Sequence, residues 1–411
     1  MSTVGSFSGR TFAALRVRNF RLYFIGQGIS NSGTWMQSVA QGWLVLQLSG
    51  SALDLGYAIA LQYVPMLLFG FYGGLIVDRF AKRPILYVTQ SAAGLFALLL
   101  GLLTLTHHVS VPVVYLVALA LGIVNLFDVP ARQAFVQEMV GRDLIANAVS
   151  LNSVLVNGGR LVGPAVAAGT IAVFGTASCF LINAASYLAV LLALGLMRSS
   201  EFQPLRTVEK TRGQMRDGLR YVFTNPLLRS TVLSVAVVGT FAFNFTTTLP
   251  TLARTTFHQT TATHYGYLMG AMGLGAILGG LFIAHRSNPT PRLLATLGVA
   301  FGVTMTLAAL SPSLLVAELL LVPTGAFSIA FVSTANATLQ MNSSDQMRGR
   351  VMSLHGTAFL GTTPIGAPIV GWIIRDTSPR VGMLLGSLLT LTVGIVLSAR
   401  LRSHAQPPVT A

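Results

Sequence analysis

A chain of 411 residues in which 53 % are hydrophobic and only 9 % are charged is too apolar to be solvated by water over most of its surface. Its net charge of +15 would suit a polyanionic partner in a soluble protein, but the basic residues sit in the gaps between apolar runs, which argues against nucleic-acid binding. The lone Cys179 excludes an intrachain disulfide and a cysteine-based metal site, and the seven histidines form no HxxxH or HExxH pair.

The chain begins MSTVGSFSGRTFAALRVRNFRL, basic and without an apolar h-region followed by a small-residue cleavage site, so it reads as a mature end and not a secretory signal. Apolar runs then predict six membrane-spanning helices at 20–48, 53–77, 84–106, 112–136, 147–171 and 174–197. The first carries Gln27, Asn31, Thr34, Ser38 and Gln41 at alternating spacings of four and three, which puts them on one face, too polar for lipid, with Trp35 beside them. Between the second and third, Gly73 to Arg83 gathers Asp78, Arg79, Lys82 and Arg83 into a tight hairpin. His107 and His108 fall in the next short loop. The fourth helix places Asn125, Asp128 and Arg132 along one face and is followed by Glu138.

In the fifth helix Gly159 and Gly163 form a small-xxx-small face and Pro164 permits a bend. Arg160 lies about thirteen residues into that helix, roughly 20 Å along its axis and near mid-bilayer. A charge at that depth requires a partner, and Asp128 is the nearest acid in depth.

Residues 198–225 are a polar linker whose second part, QMRDGLRYVF, has the pattern of an amphipathic surface helix. Six further spans follow at 226–250, 264–284, 292–310, 313–338, 350–374 and 379–401. The first of these repeats a polar stripe with Thr240, Asn244, Thr247 and Thr251; Glu318 lies near one end of the fourth and His355 near one end of the fifth. Each of these last two can titrate or simply reach interfacial water.

The organisation is therefore six helices in 1–197, a linker with an amphipathic helix in 198–225, and six helices with a short tail in 226–411. The halves echo one another: VSLNSVLVNGGRLVGPAVAAG from Val149 answers MSLHGTAFLGTTPIGAPIVGW from Met352, and GGLIVDR from Gly73 answers GGLFIAHR from Gly279. Such duplication suits a transporter with its substrate site between the halves. Arg10, Arg16, Arg18 and Arg21, then Arg79, Lys82 and Arg83, Arg132 and Arg142, Arg198 to Arg229, Arg286 and Arg292, Arg348 and Arg350, and Arg400 and Arg402 fall in alternate gaps. The other gaps receive Arg254, Arg375 and Arg380, an asymmetry that predicts both termini in the cytoplasm.

The pattern G-x-x-x-D-R-x-x-K-R at Gly74, Asp78, Arg79, Lys82 and Arg83 resembles the signature loop of the major facilitator superfamily, with Ala81 where that pattern usually has Gly. FDVPARQAF, GGRLVGPAVAAG and RDGLRYVFTNPLLR are similar to its bacterial branch containing the enterobactin exporter and macrolide-efflux-type proteins. The resemblance implies an all-α integral membrane protein of twelve helices in two pseudo-symmetric bundles, in the bacterial inner membrane, monomeric, cycling by rocker-switch alternating access. It implies that the first, fourth, seventh and tenth helices line a central cavity, making Gln27, Asn31, Thr34, Trp35, Ser38, Gln41, Asn125, Thr240, Asn244 and Thr247 candidates for substrate contact. It further implies a cytoplasmic gate in which Asp78, Arg79, Arg132 and Glu138 act as a latch beside Gly74, Lys82 and Arg83. The alternative is that this cluster only enforces topology. Asp78 ends a helix whose dipole disfavours an anion, and Arg132 or the helix start at Arg350 are its candidate compensations. The segment Gly159–Pro164 resembles the family's antiporter-associated pattern, with Ala167 and Ala168 where glycines are usual.

The resulting reading is a secondary transporter, not an enzyme, exporting a small organic molecule against inward proton flow. Drug-like and siderophore-like substrates both fit, and lipid is its other partner. Asp128 and Arg160 are the candidate proton-coupling pair, with a static ion pair that includes Arg132 as the alternative. A proton-coupled uptake system and a non-transporting scaffold or sensor are the rival functions. No GxxxxGK[ST] is present and no cofactor is expected.

Overall fold

The computed structural model describes residues 12–203, 214–285 and 290–403. Arg10, Arg286, the middle of the linker at 204–213 and the tail beyond 403 lie outside the described residues. The described residues are almost wholly helical. The first six long helices are α1 Arg18–Ser49, α2 Ala52–Arg79, α3 Lys82–Leu105, α4 Val111–Val140, α5 Ile145–Phe174 and α6 Thr176–Leu196. After α7, the short Gln214–Thr224, come α8 Pro226–Phe241, α9 Phe245–Thr251, α10 Ala262–His285, α11 Pro291–Ala309, α12 Leu314–Met341, α13 Asp345–Leu360, α14 Thr363–Asp376 and α15 Pro379–Ser403. Among the described residues eleven helical stretches are long and apolar enough to cross a membrane, with α8 running on through α9, and α13 through α14. Helix α1, at 32 residues, has the length to cross but carries the polar stripe that lowers its hydropathy.

Helix ends follow local chemistry. Gly50, Gly141 and Gly175, with φ of +69°, +70° and +79°, supply the left-handed backbone that stops α1, α4 and α5. Asn225 accepts the amides of Leu227 and Leu228 at the start of α8, and Thr290 caps α11 in the same way at Leu293. The interruption between α13 and α14 falls where Pro364 lacks an amide and its ring opposes the carbonyl of Leu360. The interruption between α8 and α9 is eased by Asn244, whose Nδ2 donates to the Thr240 carbonyl at 2.6 Å.

The chain clusters into two compact units, one from the residues up to Leu44 and those from Val64 to the linker, the other from Val45–Tyr63 and the residues after the linker. In the first, α3 packs along α4 and α6, and Phe20, Tyr23, Phe135 and Leu86 form an aromatic-rich core. The Tyr23 and Phe135 rings meet edge to face at 6.4 Å, and Phe202 joins Phe135 at 5.2 Å. In the second, α10 packs on α12 and α11 on α15, around Phe243, Phe301 and Phe359.

The echoed sequences occupy equivalent close approaches. A Cβ at Gly73 on α2 would meet the Leu126 carbonyl on α4 at 2.7 Å, and one at Gly279 on α10 would strike the Ala326 carbonyl on α12. Likewise Gly159 and Gly163 bring α5 against α1, and Gly366 brings α14 against the Thr240 carbonyl on α8. Glycine is retained in both halves where backbone meets helix.

The amphipathic helix expected at QMRDGLRYVF is α7. Its Val222 is fully buried beside Leu228, Leu339 and Val351, while Leu219 and Phe223 stay exposed. Tyr221 Oη accepts the Ser344 amide at 3.1 Å, a bond that holds the phenol below its ordinary pKa, and Asp217 meets Arg350 at 3.3 Å.

Candidate functional site

The chemistry of the first unit centres on Asp128, which is 1 % exposed within an apolar helix. One carboxylate oxygen accepts Thr89 Oγ1 at 2.8 Å and Gln90 Nε2 at 2.7 Å, both from α3. The other pairs with the guanidinium of Arg132, one turn along α4, whose second amino group donates to Gln27 Oε1 on α1 at 3.0 Å. Three helices thus converge on one ion pair. Burying a lone carboxylate would cost several kcal/mol, and three donors with a counter-charge are what make it tolerable here. The Arg132 side chain is 30 % exposed, so the pair is sealed on the Asp128 side and open on the other.

The partner expected for Asp128 was Arg160, and the structure corrects this. Arg132 pairs with the carboxylate, since α-helical i, i+4 spacing places it one turn away on the same face. Arg160 instead sits over the Trp35 ring, 4.9 Å from its centroid. That geometry depends on the glycines either side of Arg160: Gly159 lies against Asn31, and Gly163 against Trp35 Cβ and the Ser32 carbonyl. Arg160 therefore takes a face of Trp35, one of the candidates for substrate contact. The amino groups of Arg132 bond to Asp128 and Gln27.

The hairpin residues do different work from one another. Lys82 Nζ donates to the Val77 and Phe80 carbonyls at 3.0 and 2.8 Å, closing the end of α2. Arg83 donates to the Leu194 carbonyl at 2.5 Å and to Ser199 Oγ at 2.7 Å, closing the end of α6. Gly74 has open space where a side chain would be, and Arg79 is exposed. Glu138 offers its backbone carbonyl to the Gln203 amide at 2.8 Å.

The polar stripes divide. On α1, Gln27 reaches Arg132 and Asn31 donates to the Leu155 carbonyl at 2.9 Å, while Thr34 is exposed and Ser38 half-buried. Gln41 is buried, and Asn125 on α4 is half-buried. On α8 and α9 the stripe does not form a polar wall. Asn244, Thr247 and Thr251 are 3 %, 0 % and 2 % exposed, and Asn244 and Thr251 turn back onto their own helix, because short polar side chains reach the i−4 carbonyl. His355 is buried with its ring stacked on Phe359, and Glu318 lies 4.0 Å from His264 Nδ1.

Sequence reasoning did not single out Thr89 and Gln90. Their signal was two adjacent polar residues inside the apolar run of α3. A second buried amide pair, Asn183 Nδ2 to Gln37 Oε1 at 2.6 Å, joins α6 to α1 and was equally unremarked.

Residues 9–407 match the family described as transmembrane secretion effector. The chain is 25 % identical over 378 residues to the multidrug efflux pump Tap of Mycolicibacterium fortuitum, spanning 89 % of this chain and 92 % of that protein. It is 26 % identical over 341 residues to the staphyloferrin A transporter of Staphylococcus aureus, spanning 78 % and 81 %. Against the enterobactin exporter EntS of Shigella boydii it is 25 % identical, spanning 95 % and 94 %. Among solved structures, a bacterial homolog of the human lysosomal transporter Spinster superposes with a TM-score of 0.74 at 14 % identity, covering 95 % of this chain and 98 % of that one. A POT family transporter in complex with 5-aminolevulinic acid superposes at 0.75 and 10 % identity, covering 95 % and 97 %.

Proposed function

This chain is a member of the transmembrane secretion effector family of major facilitator transporters, and on that premise we propose that it exports small organic molecules in exchange for protons. The observation that carries the coupling is the buried Asp128–Arg132 pair, a titratable group one helical turn from a partly exposed cation. A proton arriving at Asp128 neutralises the carboxylate and releases Arg132 toward Gln27. A conformational cycle is coupled to protons when its two states differ in affinity for them, and an ion pair that breaks on protonation provides that difference. Arg160, held over Trp35, is a second cation in the same unit for an anionic or aromatic substrate to displace.

The named relatives transport a siderophore or act as a multidrug pump, and together they support a drug-like or siderophore-like substrate. The alternation of basic gaps supports a bacterial inner-membrane location with both termini cytoplasmic. In that orientation the hairpin at Asp78 and Arg79 is the cytoplasmic gate, Lys82 and Arg83 hold its helix ends, and the halves alternate access as a monomer in lipid. Everted vesicles test the whole reading: an imposed proton gradient should drive substrate accumulation, an uncoupler should abolish it, and loss of substrate from energised everted vesicles would refute export.

A further inference from the structure

The two oxygens of the Asp128 carboxylate have different surroundings. Oδ1 accepts two neutral hydrogen bonds, from Thr89 and Gln90, whose side chains are 6 % and 2 % exposed. Oδ2 meets the Arg132 guanidinium, and the Arg132 side chain is 30 % exposed. A carboxylate oxygen has two in-plane lone pairs, so Oδ1 is filled. A proton placed there would displace one of these buried donors, of which Thr89 has the Leu86 carbonyl at 3.3 Å as a second acceptor while Gln90 Nε2 has no other among the described residues, whereas Oδ2 needs only the departure of a side chain already reaching the open side.

We propose that proton exchange at Asp128 is confined to Oδ2, that Thr89 and Gln90 are positioning residues keeping Oδ1 a permanent acceptor, and that Gln27 retains Arg132 while the ion pair is broken. The inference rests on the coupling reading above. In the forward step an O–H bond forms between Oδ2 and a proton delivered from water, the carboxylate becomes neutral and the ion pair opens. Arg132 keeps its own proton and charge, so the pair passes from neutral to +1, and the reverse step returns the proton to water. Gln27, 2 % exposed, stays bonded to Arg132 by the contact of 3.0 Å.

The charged and titratable surroundings leave Arg132 as the ionic partner. From α1, Tyr23 lies within the electrostatic reach of Arg132. From α3, Lys82 and Arg83 are engaged on the carbonyls that end α2 and α6. From α5, Arg160 is over Trp35. From α2, Asp78 and Arg79 lie at its last turn, and α6 contains no Asp, Glu, Lys, Arg or His.

Infrared difference spectroscopy between high and low pH on the full-length protein in lipid vesicles separates the two oxygens. If the proton lands on Oδ2, the remaining C=O is Oδ1. Its stretch should then shift to higher wavenumber in Thr89→Val and in Gln90→Met, each of which removes a hydrogen bond, and return in Thr89→Ser. Gln90→Met alone decides the matter should Thr89→Val not fold. A band that vanishes in Asp128→Asn but is unmoved by both α3 substitutions would overturn the Oδ2 assignment and leave proton coupling intact. Persistence of every carboxyl band in Asp128→Asn would instead refute proton uptake at Asp128 itself.

Discussion

The two polar stripes, on α1 and on α8–α9, look alike as spacings and behave differently as structure. On α1 amides of the stripe reach across to other helices, Gln27 to Arg132 and Asn31 to the Leu155 carbonyl, as does Gln37, outside the stripe, to Asn183. On α8–α9 Thr240, Asn244 and Thr251 return to carbonyls of their own stretch of helix, Thr247 donates to nothing among the described residues, and the helix is interrupted among them. Side-chain length separates the glutamines from the threonines, while the two asparagines, equal in length, differ in what lies beside them: Asn31 has the Leu155 carbonyl of α5 within reach and Asn244 the Thr240 carbonyl of its own helix. A glutamine spans the gap to a neighbouring helix, whereas a threonine hydroxyl comes within reach of the carbonyl four residues back. Polarity in a membrane helix can therefore tie helices to a charge, as in the first unit, or repair a broken backbone, as in the second.

The contrast is broken most severely at the charge. Asp128→Asn should abolish proton-driven export in everted vesicles while leaving substrate binding largely intact, and unchanged pH-dependent transport would refute the assignment. Arg132→Met leaves the buried carboxylate without its counter-charge, and breaking such a pair costs about 3–5 kcal/mol. A marked fall in the thermal midpoint of the purified protein is the expected readout, largely restored when Asp128→Asn is added. No matching loss is expected for Thr247→Val on α9, whose buried hydroxyl donates to nothing among the described residues.

Helix contact comes next in size. Gly163→Leu drives a side chain into Trp35 and the Ser32 carbonyl and should lower stability by about 1–3 kcal/mol, whereas Gly158→Leu, with nothing within 4 Å, should be nearly silent. Equal effects at the two sites would mean that α5 does not seat on α1 through Gly163. Smaller still is the difference between stripes: Asn31→Leu removes the interhelical bonds to the Leu155 and Val156 carbonyls, such bonds being worth about 0.6 kcal/mol each in membrane proteins, and should loosen α5 as read by cysteine accessibility near Leu155. Asn244→Leu should act locally at the helix interruption. The smallest effect is expected at the surface helix, where Tyr221→Phe removes the bond from Ser344 and should cost under about 1 kcal/mol.

Much of this architecture was legible because apolar runs and their breakers obey simple rules. The spans at 84–106 and 379–401 meet helices Lys82–Leu105 and Pro379–Ser403, and QMRDGLRYVF meets Gln214–Thr224. The echo of Gly73 in Gly279 was readable too, because a glycine on which a carbonyl lies tolerates no side chain. What was less legible is who partners whom. Depth along the bilayer suggested Arg160 for Asp128, but depth is one coordinate, and a neighbour four residues along the same helix fixes all three. Thr89 and Gln90 escaped notice because two polar residues in an apolar helix carry no period. The meaning of the α8–α9 stripe was hidden for the opposite reason: its period was right, but period does not distinguish a side chain that faces outward from one that bends back to its own backbone.

The stacking of Arg160 on Trp35 also gives the protein an optical handle. Of its three tryptophans, Trp43 is buried and Trp372 is half exposed, so Trp43→Phe with Trp372→Phe leaves Trp35 as the sole indole emitter. An indole with a cation 4.9 Å above its ring has its excited state perturbed by that charge. Whatever draws Arg160 away changes the colour and yield of that light, so the fluorescence of a single residue reports, without a label, when this guanidinium leaves its seat.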